Sequence, residues 1–196
     1  VVAAERDVIY VATAAPRPDD AEWAERVTAH RVRRPAHWRT LETGDVADVL
    51  LSAPPGQPVL VDCLPLWLTR VLDESDAWGG DTSLADKQVE RLLDAWRRTE
   101  ARVVAVSNEV GQGVVPQTAS GRLFRDLHGR LNAAVAAASD DVTFMLAGPV
   151  PDGEWGQRVL AKKLPGFLRL LVGHLHGFQD GVQRPAGAFG APHARF

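Results

Sequence analysis

Chemically capable side chains are densest in Ala29-His30-Arg31-Val32-Arg33-Arg34-Pro35-Ala36-His37-Trp38-Arg39-Thr40, with four arginines and two histidines inside eleven residues. Such a cluster repels itself unless an anion or bulk water offsets the charge. Guanidinium forks match phosphate oxygens in pairs. An imidazole among them can attack a phosphorus centre as a nucleophile when a nearby acceptor activates it. A solvated basic surface patch is the competing reading, and composition leaves the two open. Asp62 closes the apolar run Val59-Leu60-Val61. A carboxylate there suits Mg²⁺ in a nucleotide site, where one or two carboxylates share the ion with phosphate oxygens. Taken alone, such an aspartate is more often a plain strand-end cap. A phosphate loop of the form G-x-x-x-x-G-K-[ST] is the usual companion of such an aspartate. The sequence contains none, since its first glycine is Gly44 and its first lysine Lys87.

Other candidates carry less. His128 lies between Arg125 and Arg130 on a helical pattern and reads as structural or solvated. His174, His176 and His193 lack the cysteine and carboxylate companions of a zinc site. Cys63, the single cysteine, reads as a small packed apolar residue. It cannot form an internal disulfide, which fits a reducing, cytoplasmic setting. The six tryptophans are scattered and form no stacking platform for bases.

These residues must be positioned by regular elements. Continuous apolar runs at Val8–Ala12, Val59–Cys63, Ala101–Ser107 and Val142–Ala147 read as buried strands. Between them lie helical patterns at Asp19–Arg33, Leu64–Leu72, Ser83–Thr99 and Ser120–Ser139, with Pro65 suited to a first turn. Strands that alternate with helices predict an α/β domain with a mostly parallel sheet. In such sheets ligands gather at the carboxyl ends of the strands. Thr13, Asp62, Asn108 with Glu109, and Gly148 fall there. Past Gly148 the pattern weakens. Ala161–His176 reads as one short basic, apolar helix, and the Gly-, Ala- and Pro-rich stretch from about Gln179 reads as mobile. This gives a domain over 1–148 and an extension over 149–196.

The chain has 196 residues, 45% hydrophobic and 24% charged, with a formal net charge of −3. That size suits one compact domain, and the mild acidity offers no basic field for nucleic acid. No apolar run is long enough to span a membrane, and no leader peptide is read at the start.

Taken together, the stretches Val8–Thr13, His30–Thr40 with Glu42, Val59–Thr69, Val106–Pro116 and Gly121–Asn132 resemble one family. This is the bifunctional adenosylcobinamide kinase / adenosylcobinamide-phosphate guanylyltransferase family of cobalamin biosynthesis. The resemblance covers roughly residues 6–148. It implies a RecA-like P-loop NTPase-type sheet, with two reactions on a corrinoid. A nucleoside triphosphate, ATP or GTP, phosphorylates adenosylcobinamide. GMP from GTP is then transferred to that phosphate through a guanylylated histidine, giving adenosylcobinamide-GDP. Carried over by position, the nucleophile falls on His30. Nucleotide contacts fall on Thr13, Ala14, Ala15, Arg31, Val32, Arg33, Arg34, Glu42 and Asp62, with Mg²⁺ at Asp62. The resemblance also implies a homotrimer. The family's first strand and phosphate loop are missing from this sequence, with Val1–Arg6 matching the end of the helix after that loop. On that ground the sequence as it stands is expected to have little kinase activity. The alternative is a non-catalytic nucleotide-binding or assembly subunit of the same fold.

Overall fold

The computed structural model describes residues 7–145, 157–159 and 168–173. In chain order the elements are β1 (Ile9–Ala12), α1 (Ala21–Val32), β2 (Arg39–Glu42), α2 (Val46–Ser52), β3 (Pro58–Asp62) and α3 (Leu64–Glu74). A short 3₁₀ turn at Ala77–Gly79 follows. Then come α4 (Ser83–Arg98), β4 (Arg102–Asn108), α5 (Ala119–Ala137), β5 (Asp141–Met145), β6 (Gln157–Val159) and β7 (Leu168–Gly173). The strands form one sheet in the order β2-β1-β3-β4-β7-β5-β6. Its neighbours are parallel except the β5–β6 edge. This is the α/β architecture, a mostly parallel sheet flanked by helices, that the sequence predicts.

Period-two alternation in the strands decides which face is dry. Val11, Val59, Val61, Val103 and Ala105 turn to one side and are buried. They form a single core with Val46 and Leu50 of α2, Leu64, Leu68 and Leu72 of α3, Leu92 and Trp96 of α4, and Leu127, Leu131 and Val135 of α5. The helices start where the sequence offers caps. Asp20 accepts from Trp23 N at 2.9 Å, and Thr118 accepts from Gly121 N at 3.1 Å. Gly121 has a second reason to be glycine. A Cβ there would lie 2.7 Å from Pro116 Cβ, so a side chain would push away the loop that leads into α5.

Four elements differ from the sequence reading. β2, α2 and β6 occupy residues assigned to no element, β2 starting at Arg39 inside the basic cluster. Ala161–His176 is not one helix, because its described part, Leu168–Gly173, is a strand. β7 lies between β4 and β5, pairing from Val103↔Leu168 to Asn108↔Gly173 on one side and from Asp141↔Arg169 to Met145↔Gly173 on the other. A short, largely apolar run such as Leu168-Arg169-Leu170-Leu171-Val172 suits helix or strand by pattern alone, and here two flanking ladders decide it. Strands from both sides of residue 148 therefore share the sheet. Val1–Arg6, Gly148 and the stretch from Gln179 lie outside the described residues.

Candidate functional site

β2, β1 and β3 are neighbours, and their carboxyl ends align. Ala12 is in register with Glu42 on one side and Asp62 on the other. Thr13, fully buried, follows Ala12. Its amide donates to Asp62 O at 3.2 Å. Its hydroxyl donates to Cys63 O at 2.8 Å and accepts from Cys63 N at 3.0 Å. Thr13 thus ties the end of β1 to the chain leaving β3. Ala14 and Ala15 continue from it, half-buried.

The last turn of α1 carries His30 and Arg31, and cations there suit the negative end of the helix dipole. Arg31 spans to β2, its Nε 3.1 Å from Glu42 Oε1 and a terminal nitrogen bonded to the same oxygen. Both side chains are about half exposed, so this pair orients the helix end more than it stabilises the fold. Arg34 reaches the next strand. Its guanidinium carbon sits 3.7 Å from the centre of the Tyr10 ring, and its Nη1 is 3.4 Å from Thr40 Oγ1. Trp38 stacks against Tyr10 with ring centres 6.2 Å apart. The Tyr10 hydroxyl donates to Asp62 Oδ2. Burial pushes the Tyr10 phenol well above its usual value, and the Asp62 charge adds to this against a smaller opposing effect of Arg34. Tyr10 therefore remains a donor at any working pH.

The structure brings Arg31, Arg34, Glu42 and Asp62 into one row across three strand ends. His30 is exposed on the helix turn that Arg31 anchors. Val32 is 79% exposed and Arg33 is exposed at the helix cap. Tyr10 and Trp38 were not singled out by sequence reasoning. The available signal was the chain's lone tyrosine inside an otherwise aliphatic strand.

On the far side of β3, Asn108 ends β4, and its carbonyl accepts from Asn132 Nδ2 at 2.9 Å. Ser107 Oγ donates to Asn132 Oδ1 at 2.6 Å and lies 3.2 Å from His128 Nε2. His128 has no exposure, so its structural reading is the one realised. Glu109 accepts from Gly111 N and folds its loop on itself. The buried Cys63 thiol is pushed up to about 12, chiefly by burial, and so remains protonated rather than becoming a thiolate nucleophile.

Among the described residues no three His, Cys, Asp or Glu side chains cluster as a metal cage. Asp62 offers a single half-buried carboxylate with one oxygen held by Tyr10. That donor set fits Mg²⁺, whose remaining ligands in nucleotide sites are phosphate oxygens and water. No helix among the described residues is long and apolar enough to cross a membrane.

Residues 1–152 match the sequence profile of the family described as cobinamide kinase / cobinamide phosphate guanyltransferase. The chain is 42% identical over 147 residues to the bifunctional adenosylcobalamin biosynthesis protein CobP of Pseudomonas aeruginosa, covering 74% of this chain and 81% of that protein. It is 36% identical over 151 residues to the bifunctional adenosylcobalamin biosynthesis protein CobU of Salmonella typhimurium, covering 72% and 82%. The Escherichia coli protein of the same description is also 36% identical, over 154 residues, with 72% and 82% covered.

Proposed function

The chain belongs to the cobinamide kinase / cobinamide phosphate guanyltransferase family, and from that premise we propose that it transfers GMP from GTP to adenosylcobinamide phosphate through a guanylylated His30. The partner reaction of this reading is phosphorylation of adenosylcobinamide by ATP or GTP, carried out by a homotrimer. The observation that supports the transferase reading best is the fastening of the α1 end across the strand ends, by Arg31 on Glu42 and Arg34 on the Tyr10–Asp62 pair. It holds the turn that carries His30 near cations and a carboxylate at the carboxyl edge of a parallel sheet, the edge where ligands gather in such folds.

In this mechanism a ring nitrogen of His30 attacks the α-phosphorus of GTP. The bond from that phosphorus to the bridging oxygen breaks, pyrophosphate leaves, and the imidazole loses its ring proton to solvent. A phosphate oxygen of adenosylcobinamide phosphate then attacks the same phosphorus. The N–P bond breaks, the departing imidazole takes a proton back from solvent, and His30 is freed with a diphosphate linkage left in the product. Arg31, Arg33 and Arg34 offset charge on the triphosphate and on the leaving pyrophosphate, with Thr13 to Ala15 and Val32 as backbone neighbours of the nucleotide. Asp62 would hold Mg²⁺, which when bound neutralises triphosphate charge.

The test is incubation with Mg²⁺ and GTP labelled at the α-phosphate, followed by denaturation. Retained label that is acid-labile and base-stable, and that disappears in His30→Ala, is the expected result. Label that persists in His30→Ala sinks the nucleophile assignment. GTP binding without any covalent label favours the non-catalytic binding subunit.

A further inference from the structure

Tyr10 has no assigned role, yet it touches both halves of the site. It is only 6% exposed, its ring carries the Arg34 guanidinium on one contact and the Trp38 indole on another, and its hydroxyl holds Asp62. Arg34 Nε and Trp38 Nε1 are buried without hydrogen-bond partners. Both side chains are therefore placed in large part by packing against this ring. A cation over an aromatic face is held electrostatically as well as by contact. A buried hydroxyl that donates to a carboxylate fixes the carboxylate's rotamer at the same time.

Resting on the nucleotide reading above, we propose that Tyr10 is the positioning residue of the site: its ring sets Arg34 for the triphosphate and its hydroxyl sets Asp62 for the accompanying divalent cation. The two roles belong to different atoms of one side chain and separate by substitution. Tyr10→Phe keeps the platform and releases the carboxylate. Tyr10→Leu removes the platform as well.

GTP binding is measured by titration of the purified full chain, first in EDTA and then against increasing Mg²⁺, with thermal unfolding of each variant alongside. Tyr10→Phe is expected to bind metal-free GTP within about twofold of the unaltered protein, while the Mg²⁺ concentration needed for tight binding rises about tenfold, the scale of one charged hydrogen bond. Tyr10→Leu and Arg34→Gln are each expected to weaken metal-free GTP binding about tenfold. Combining Tyr10→Leu with Arg34→Gln is expected to add little, because both act through one contact. A purely structural tyrosine would lower the melting temperature without separating the two titrations. If Tyr10→Leu does not fold, Tyr10→Phe decides the matter, and an unchanged Mg²⁺ titration there overturns the inference. Additive losses in the double variant overturn the Arg34 half. Failure of the unaltered protein to bind GTP overturns the nucleotide reading itself, and this inference with it.

Discussion

His128 is a titratable ring with no solvent exposure, stacked on Phe124 with ring centres 5.4 Å apart and 3.2 Å from Ser107 Oγ. Its Nδ1 is buried without a partner. Burial lowers its pKa, and the Glu109 carboxylate opposes this more weakly. Around it, Ser107 on β4 and Asn132 on α5 are neutral. The folded protein thus resists a proton that the unfolded chain accepts. Above the ordinary histidine value near 6.5 neither state is protonated and the group contributes no pH dependence. As pH falls through that value the unfolded state gains a proton first, so stability declines until the folded pKa is passed. The urea midpoint of the unaltered protein is expected to drop between pH 7.5 and 5.5. His128→Gln, at a cost of about 1–2 kcal/mol at pH 7.5 from the lost stack and hydrogen bond, is expected to flatten that drop. An equally steep decline in the variant would place the acid sensitivity elsewhere. The sequence could show a histidine on a helix, but its orientation depends on which face meets β4, and that is fixed by tertiary packing.

α1 is an element held at its ends, since none of its residues is buried. Asp20 caps its start, Arg17 lies over Trp23, and Arg31 and Arg34 fasten its far end. Asp20→Ala removes the side-chain acceptor, worth about 1 kcal/mol. Its effect should remain local: amides of α1 exchange faster, those of β1 and β3 do not, and GTP binds more weakly. Equal acceleration throughout the sheet would show that α1 belongs to the global folding unit instead. Which elements could be read from sequence follows the same division between buried and peripheral. Val59-Leu60-Val61 and Val103-Val104-Ala105 announce central strands because both faces are covered or half-covered. β2 announces nothing, since Arg39, Thr40 and Glu42 are exposed and only Leu41 is partly buried. Its strand character comes from pairing with β1. α2, seven residues long, gives too few turns for a helical period to stand out, although Val46, Ala47 and Leu50 are all buried. The candidate site was legible in part, Arg31, Arg34 and Asp62 as residue types and Glu42 only through the family resemblance. It was not legible as a connected row, because Tyr10 joins its two halves through a side chain whose direction only the sheet defines.

At the scale of the whole molecule, the sheet depends on a strand drawn from beyond residue 148. β7 pairs with β4 over six residues and with β5 over five. Adjacent strands lie about 4.8 Å apart, so without β7 the edges of β4 and β5 stand two strand spacings from each other and cannot pair unless one of them moves. An unfilled slot would leave rows of backbone donors and acceptors without partners in the middle of the sheet. β4 also carries Asn108 at its carboxyl end, next in order to β3 and Asp62. The slot therefore bears on the site as well as on the fold. Leu170 is the residue to alter, being in register with Ala105 and Val142 at once. Leu170→Pro removes one ladder donor and orphans its acceptor, about 1–3 kcal/mol, with strain from the ring added. For a chain of this size that corresponds to a melting temperature lower by roughly 2–12 °C. Loss should occur in one transition, with GTP affinity falling in parallel, if β7 belongs to the same cooperative unit as β1 to β5. An unshifted melting curve would mean that residues 168–173 are not part of that unit and that β4 and β5 hold their positions without them.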